Sequence, residues 1–239
     1  MADDRAPHGL AALEAAVHDC RRCPRLVQWR EQVATEKRAA FRDETYWGRP
    51  IGGFGDPAAR VLLLGLAPAA HGANRTGRVF TGDRSGDFLF AALHRTGFAN
   101  QPTSRHAGDG LALRDCWITA AVRCAPPANK PLPVERDACA HWLRAELGLL
   151  EHARVVVCLG GFAWQVALAM LAPGERPRPR FGHGAQAPAG ALALLGCFHP
   201  SQQNTFTGRL TPAMLDAVLE RARDLAAQPA RSAPSTSAA

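Results

Sequence analysis

Two cysteine pairs and one polar loop are the parts of this sequence whose residue types could do chemistry. Cys20 and Cys23 stand at C-x2-C spacing ahead of Pro24, and Cys124 and Cys139 are separated by fourteen residues. The first pair brackets a tight turn suited to two thiolates on one metal centre. Cys124 closes an apolar run and Cys139 lies early in a helical one, so the loop between them can fold back and complete a four-thiolate site. Four cysteines suit tetrahedral zinc or an iron–sulfur cluster, and spacing does not choose between them. Cys116, Cys158 and Cys197 fall inside apolar runs and read as core residues. The polar loop runs from Gly65 to Asp83 and carries His71, Asn74, Arg75, Thr76, Arg78, Phe80, Thr81 and Asp83. It is far longer than the usual strand-to-helix connection of about two to six residues.

These groups need a scaffold, and the hydrophobic pattern supplies one. Val61 to Leu64, Cys116 to Val122, Arg154 to Gly160 and Ala191 to Phe198 are short apolar runs without alternation, the signature of strands buried on both faces. Helical periodicity occupies Leu10 to Val17, a stretch from Leu26, Phe88 to Leu93, Val134 to Leu150, Gly161 to Met170 and Pro212 to about Ala227. Strands alternating with helices predict a three-layer α/β/α fold around a four-stranded parallel sheet. Tyr46 to Pro50 and Gly52 to Pro57 read as turns, and Pro173 to Pro188 as a Pro/Arg/Gly-rich loop. In a parallel sheet the loops after the strands share one edge, where such folds bind ligands. The loops ending at Asp83, Lys130 and Arg209 should therefore converge.

Composition bounds the answer. With 239 residues, 47% of them hydrophobic, the chain can bury a full core as one domain over 1–228. The Ala/Ser/Pro-rich stretch 229–239 reads as a disordered tail. A net charge of +7, carried mostly by arginine, fits an anionic polymer as partner without establishing it. No signal peptide and no run of membrane-spanning length is evident, and an odd count of seven cysteines fits a reducing cytosol better than a disulfide framework. The expectation is a cytoplasmic monomer that binds no membrane.

Three ordered motifs carry a resemblance. Gly65-Leu66-Ala67-Pro68 through His71-Gly72, Asn74-Arg75-Thr76-Gly77-Arg78 and Phe80-Thr81-Gly82-Asp83 resemble the first motif of the family 5 (type B) uracil-DNA glycosylases. Ala120 to Pro127 with Asn129-Lys130-Pro131 is similar to that family's middle motif. Phe198-His199-Pro200-Ser201, Asn204 and Thr207-Gly208-Arg209-Leu210 are similar to its last. The Cys20/Cys23 entry and the Tyr46 to Pro57 lead-in match as well, so the resemblance spans the chain to about Ala227. It implies the uracil-DNA glycosylase fold, a [4Fe–4S] cluster on Cys20, Cys23, Cys124 and Cys139, and a DNA substrate containing uracil or other deaminated bases such as hypoxanthine or xanthine.

The implied reaction hydrolyses an N-glycosidic bond, with positive charge growing on the sugar and negative charge on the departing base. The base must leave the stack to be reached. On this reading Phe80 stacks on the flipped base in a pocket bounded by Gly65, Ala67 and Gly82. Asn129 offers the acceptor and donor that a uracil edge requires. His199 donates to the base as its charge develops. Asp83, the only carboxylate of the first loop, orients water and counters the sugar cation. Leu66 and Ala67 occupy the turn where related families keep a polar catalytic residue, which points to tolerance of other bases. Gln202, Gln203 and Asn204 would fill or read the vacated gap, and Arg75, Arg78, Lys130 and Arg209 would meet phosphates. The competing class is a redox or non-catalytic DNA-binding α/β protein with a four-cysteine metal site. No G-x-G-x-x-G or Walker motif follows a strand to favour a nucleotide-binding version of it.

Overall fold

Val61, Leu62, Leu63 and Leu64 are each 2% exposed or less, and their side chains alternate between two separate cores. This strand forms the middle of the fold. The computed structural model describes residues 9–228, so the expected tail at 229–239 lies outside the described residues. The strands are β1 (Phe54–Gly55), β2 (Val61–Gly65), β3 (Cys116–Ala120), β4 (Val155–Leu159), β5 (Gln186–Ala189) and β6 (Leu192–Cys197), in the spatial order β1-β3-β2-β4-β6-β5. The helices are α1 (Leu10–His18), α2 (Pro24–Glu36), α3 (Ala73–Thr76), α4 (Arg84–Arg95), α5 (Pro133–Leu149), α6 (Gly161–Leu171), α7 (Gln202–Phe206) and α8 (Pro212–Ala227), with two short 3-10 turns besides.

Four parallel strands, β3-β2-β4-β6, stand as the apolar runs predict. The count of four is corrected to six, because β1 and β5 pair antiparallel on the two edges. Both hide in turn-like composition. The β1 pair is Phe54–Gly55, and β5 contains Pro188, a residue that only an edge strand or a bulge accommodates. The segment after His199, read as a loop, holds the short α7.

Each face of the sheet is sealed by helices with matching apolar stripes. Leu89, Phe90 and Leu93 of α4 and Leu215, Val218, Leu219 and Ala222 of α8 pack on Val61, Leu63, Ile118, Val155 and Val157. On the other face, Leu143 of α5 and Ala163, Trp164, Ala167 and Leu168 of α6 meet Leu62, Leu64, Val156 and Cys158. Burying one such side chain stabilises by about 1.5–3 kcal/mol, which is why unbroken apolar runs mark this sheet so clearly. Among the described residues no helix is long and apolar enough to cross a membrane.

Candidate active site

The carboxyl edge of the sheet gathers the predicted loops. The ladder between β2 and β3 continues past both strands, with the Ala121 and Val122 amides donating to the carbonyls of Gly65 and Leu66 at 3.0 Å each. The Gly160 amide donates to the Cys197 carbonyl at 2.8 Å. The exits of β2, β3, β4 and β6 are thereby locked side by side.

Phe80 is held over the end of β2. Its φ of 52° is costly for a non-glycine residue and marks an imposed position. A methyl group on Gly65 would lie 2.9 Å from the Phe80 ring, so glycine there lets the ring settle on the strand. The ring centroid stands 5.9 Å from that of His199, tilted by 33°. Two motifs separated by more than a hundred residues meet at this contact. Burial pushes the pKa of His199 down to about 4, although the residue keeps part of its surface open. At neutral pH the imidazole is uncharged and presents one N–H.

Asp83 has two jobs available to it. It caps α4, with Oδ1 accepting from the Gly86 amide at 2.9 Å. Its Oδ2 lies against Gly72, where a methyl group would come within 2.1 Å. Burial raises the pKa of Asp83 above the ordinary carboxylate value, opposed by the amides of Gly86 and Ser85. Gly82 before it forms a turn with φ 77°, its carbonyl accepting from Arg75. Ala67 is half-buried and packs in a small apolar nest with Leu26, Val122, Cys124, Cys23 and Phe162. Asn129 is exposed on a 3-10 turn with φ 55°, directly after Ala128 at φ 52°, which presents its amide outward from the proline-rich loop.

Two of the expected phosphate contacts are corrected. Arg78 is 5% exposed, and its guanidinium donates to Thr81, Ser104, the Ala107 carbonyl and both oxygens of Asp109 at 2.8–3.3 Å. Burial alone would raise Asp109, but the amides of Arg105 and Leu111 and the Arg78 guanidinium bring it down to about 2. Arg75 donates to the carbonyls of His71 and Gly82 at 2.9 and 2.8 Å and to Glu44, and stacks 3.9 Å from the Phe41 ring. Both arginines brace the long loop from inside. Their charge was legible in the sequence, but their carboxylate partners, Glu44 and Asp109, each lie 31 residues away in chain order.

Lys130 is exposed, its carbonyl accepting from Arg25. Arg209 is exposed and sits 4.6 Å from the Phe198 ring. Gln202 and Gln203 are exposed on α7, whereas Asn204 turns inward and donates to the His199 carbonyl at 2.9 Å. Its place is corrected from gap-filling to positioning the His199 backbone. Sequence reasoning missed Phe206 at the end of α7. It is 71% exposed with the Arg84 guanidinium 5.8 Å from its ring. The available signal was a lone aromatic among Gln, Asn and Thr.

The four cysteines of the two pairs lie within electrostatic reach of one another. Cys23 starts α2, and Arg25 bonds Glu135 of α5 through two 2.7 Å contacts, which brings the two segments together. The Arg30 Nη1 donates to the Cys124 sulfur at 3.1 Å, and the Arg123 amide to the Cys139 sulfur at 3.3 Å. Arg30 is 1% exposed and its Nε has no partner among the described residues. Among those residues, no group of three or more His, Cys, Asp or Glu is arranged to hold a single metal ion.

Comparison with known proteins gives this edge a family. The sequence profile of the uracil DNA glycosylase superfamily matches residues 53–223. A type-5 uracil-DNA glycosylase of Mycobacterium tuberculosis is 59% identical over 219 residues, covering 91% of this chain and 82% of that protein. One from Thermus thermophilus is 55% identical over 208 residues, covering 87% and 94% respectively. A type-4 uracil-DNA glycosylase of Thermotoga maritima is more distant, 28% identical over 151 residues, covering 62% of this chain and 68% of that protein. The chain belongs to the uracil DNA glycosylase superfamily, on its type-5 branch.

Proposed function

We propose that the protein is a DNA-repair glycosylase that flips uracil out of DNA and hydrolyses its N-glycosidic bond, leaving an abasic site. The observation that carries this is the meeting of Phe80 and His199 over Gly65, with the half-buried Asp83 three residues beyond Phe80. A stacking face and a neutral N–H donor meet there, and the loop that carries Phe80 also carries the Asp83 carboxylate. Phe80 receives the base, and its imposed backbone holds the ring ready before substrate arrives. Asn129 reads the base edge. The neutral imidazole of His199 donates as negative charge grows on the leaving base, the kind of contact that gains strength in a dry site. Asp83, fixed through its Oδ1 cap on α4, faces the sugar cation with its carboxylate charge.

Lys130, Gln202 and Arg209 contact the DNA from the rim, and Phe206 supplies the apolar wedge that minor-groove binders insert between base steps. Leu66 and Ala67 bring no polar group to the turn after β2, which supports excision of hypoxanthine and xanthine besides uracil.

The residues present fit a [4Fe–4S] cluster held by Cys20, Cys23, Cys124 and Cys139. A buried guanidinium with an unpartnered Nε and a donor on a cysteine sulfur is expensive unless an anionic centre lies beside it. When bound, such a cluster would tie Cys20 and Cys23, ahead of and at the start of α2, to Cys124 and to Cys139 of α5. Loss of iron from Cys139→Ala, read by metal analysis and visible absorption, tests the ligand set; full iron content in that variant refutes it. Incubation with uracil-containing duplex followed by alkali tests the activity. Strand cleavage at uracil is the expected result, and intact DNA would overturn it.

A further inference from the structure

A cavity of about 620 Å3 runs between α5 and α6 beneath the segment 173–181. Its lining includes four arginines, Arg136 and Arg144 from α5 and Arg178 and Arg180 from the segment above, against one carboxylate, Asp137. Asp137 accepts from the Nε of Arg136 at 2.7 Å, which leaves three guanidinium groups in the lining without a carboxylate there. Arg144, Arg178 and Arg180 are all exposed. The segment carrying two of them is pinned, because the indole of Trp164 donates to the Pro179 carbonyl at 3.0 Å.

One end of the groove comes near the carboxyl edge of the sheet. Phe181 closes its inner end, and the Phe181 ring stands 6.2 Å from that of Phe198, the residue before His199. Arg209 lies on Phe198. At its outer end Met170 is nine residues along α6 from Gly161, about 14 Å at 1.5 Å per residue. That equals the axial length of about four nucleotides of a duplex strand at 3.4 Å each. Arg75 and Arg78 are committed inside the fold, so they cannot neutralise the backbone.

We propose that this groove carries the phosphodiester backbone of the DNA strand flanking the flipped nucleotide, with Arg144, Arg178 and Arg180 as phosphate contacts. The assignment rests on the excision reading for its starting point at His199. The three side chains are exposed, so the variant R144Q/R178Q/R180Q keeps the fold. The test measures binding against salt on two uracil-containing duplexes, one long and one trimmed to the few base pairs around the uracil. On the long duplex the variant's slope should flatten by about 2.7 units, at about 0.9 per lost contact. On the trimmed duplex variant and parent should coincide, and the single-turnover rate at saturating enzyme should not change. An unchanged slope on the long duplex overturns the proposal, as does equal flattening on both duplexes, which would mark a diffuse field. Arginine-dependent capture of a polyglutamate peptide with no change in the DNA slope would assign the groove to an acidic protein segment instead. A parent that excises nothing refutes the excision reading, while the slopes still report whether the groove holds DNA.

Discussion

Two arginine-bearing loops use their charge in opposite ways. In the loop from Gly65 to Asp83, Arg75 and Arg78 turn inward and saturate their donors on carbonyls, hydroxyls and carboxylates. In the segment 173–181, Arg178 and Arg180 stay exposed beside a cavity with almost no acidic lining. The first loop is built to hold Phe80 and Asp83 still; the second leaves its charge available to a partner. Net charge counts both alike, so only the acceptors around each guanidinium tell bracing from binding.

That contrast predicts which measurement each residue moves. The largest effect should come from Arg78→Ala. It strands Asp109 and empties a buried hydrogen-bonded site, costing about 3–5 kcal/mol in urea unfolding. The salt slope of DNA binding should stay that of the parent, and a flattened slope would put Arg78 on the backbone after all. Asp83→Asn comes next. Asparagine still caps α4, so stability should hold within about 1 kcal/mol, while single-turnover excision of uracil and hypoxanthine falls by about 10²–10³. Parent rates on both substrates would move the water elsewhere.

A third prediction concerns pH. The folded pKa of His199, about 4, lies below the ordinary 6.5, so between these values the unfolded chain binds a proton that the folded chain refuses. Stability should therefore fall as pH drops from 6.5 to 4, by up to about 3 kcal/mol at 1.36 kcal/mol per unit. His199→Gln should remove that component from the pH dependence of unfolding and slow excision of every base. A variant that retains the full dependence would assign it to other groups. The smallest effect belongs to Arg209→Ala, with a salt slope flatter by about one unit and an unchanged urea midpoint.

The fold's centre was legible because β2, β3, β4 and β6 are buried on both faces, and such strands allow almost nothing but apolar side chains. The edges were not, since β1 and β5 need only one partner and tolerate Gly55 and Pro188. Phe80 and Asp83 follow β2, Asn129 follows β3 and His199 follows β6, and the Phe80 and His199 rings meet although β4 stands between their strands. What the sequence concealed was direction. Nothing in the string distinguishes an arginine facing Asp109 from one facing solvent, nor an Asn204 turned to the His199 carbonyl from one reaching outward.

The tie between the N-terminal helices and α5 also has a consequence in time. The Arg25–Glu135 pair joins residues 110 apart, and Arg30 reaches Cys124 across 94. A chain emerging from the ribosome at about 5–20 residues per second leaves α2 without its docking surface for roughly 5–20 seconds. During that interval Cys20 and Cys23 travel as free thiols on an undocked helix pair. Their encounter with Cys124 and Cys139 waits until those residues have been made, set by the clock of translation and not by local helix formation.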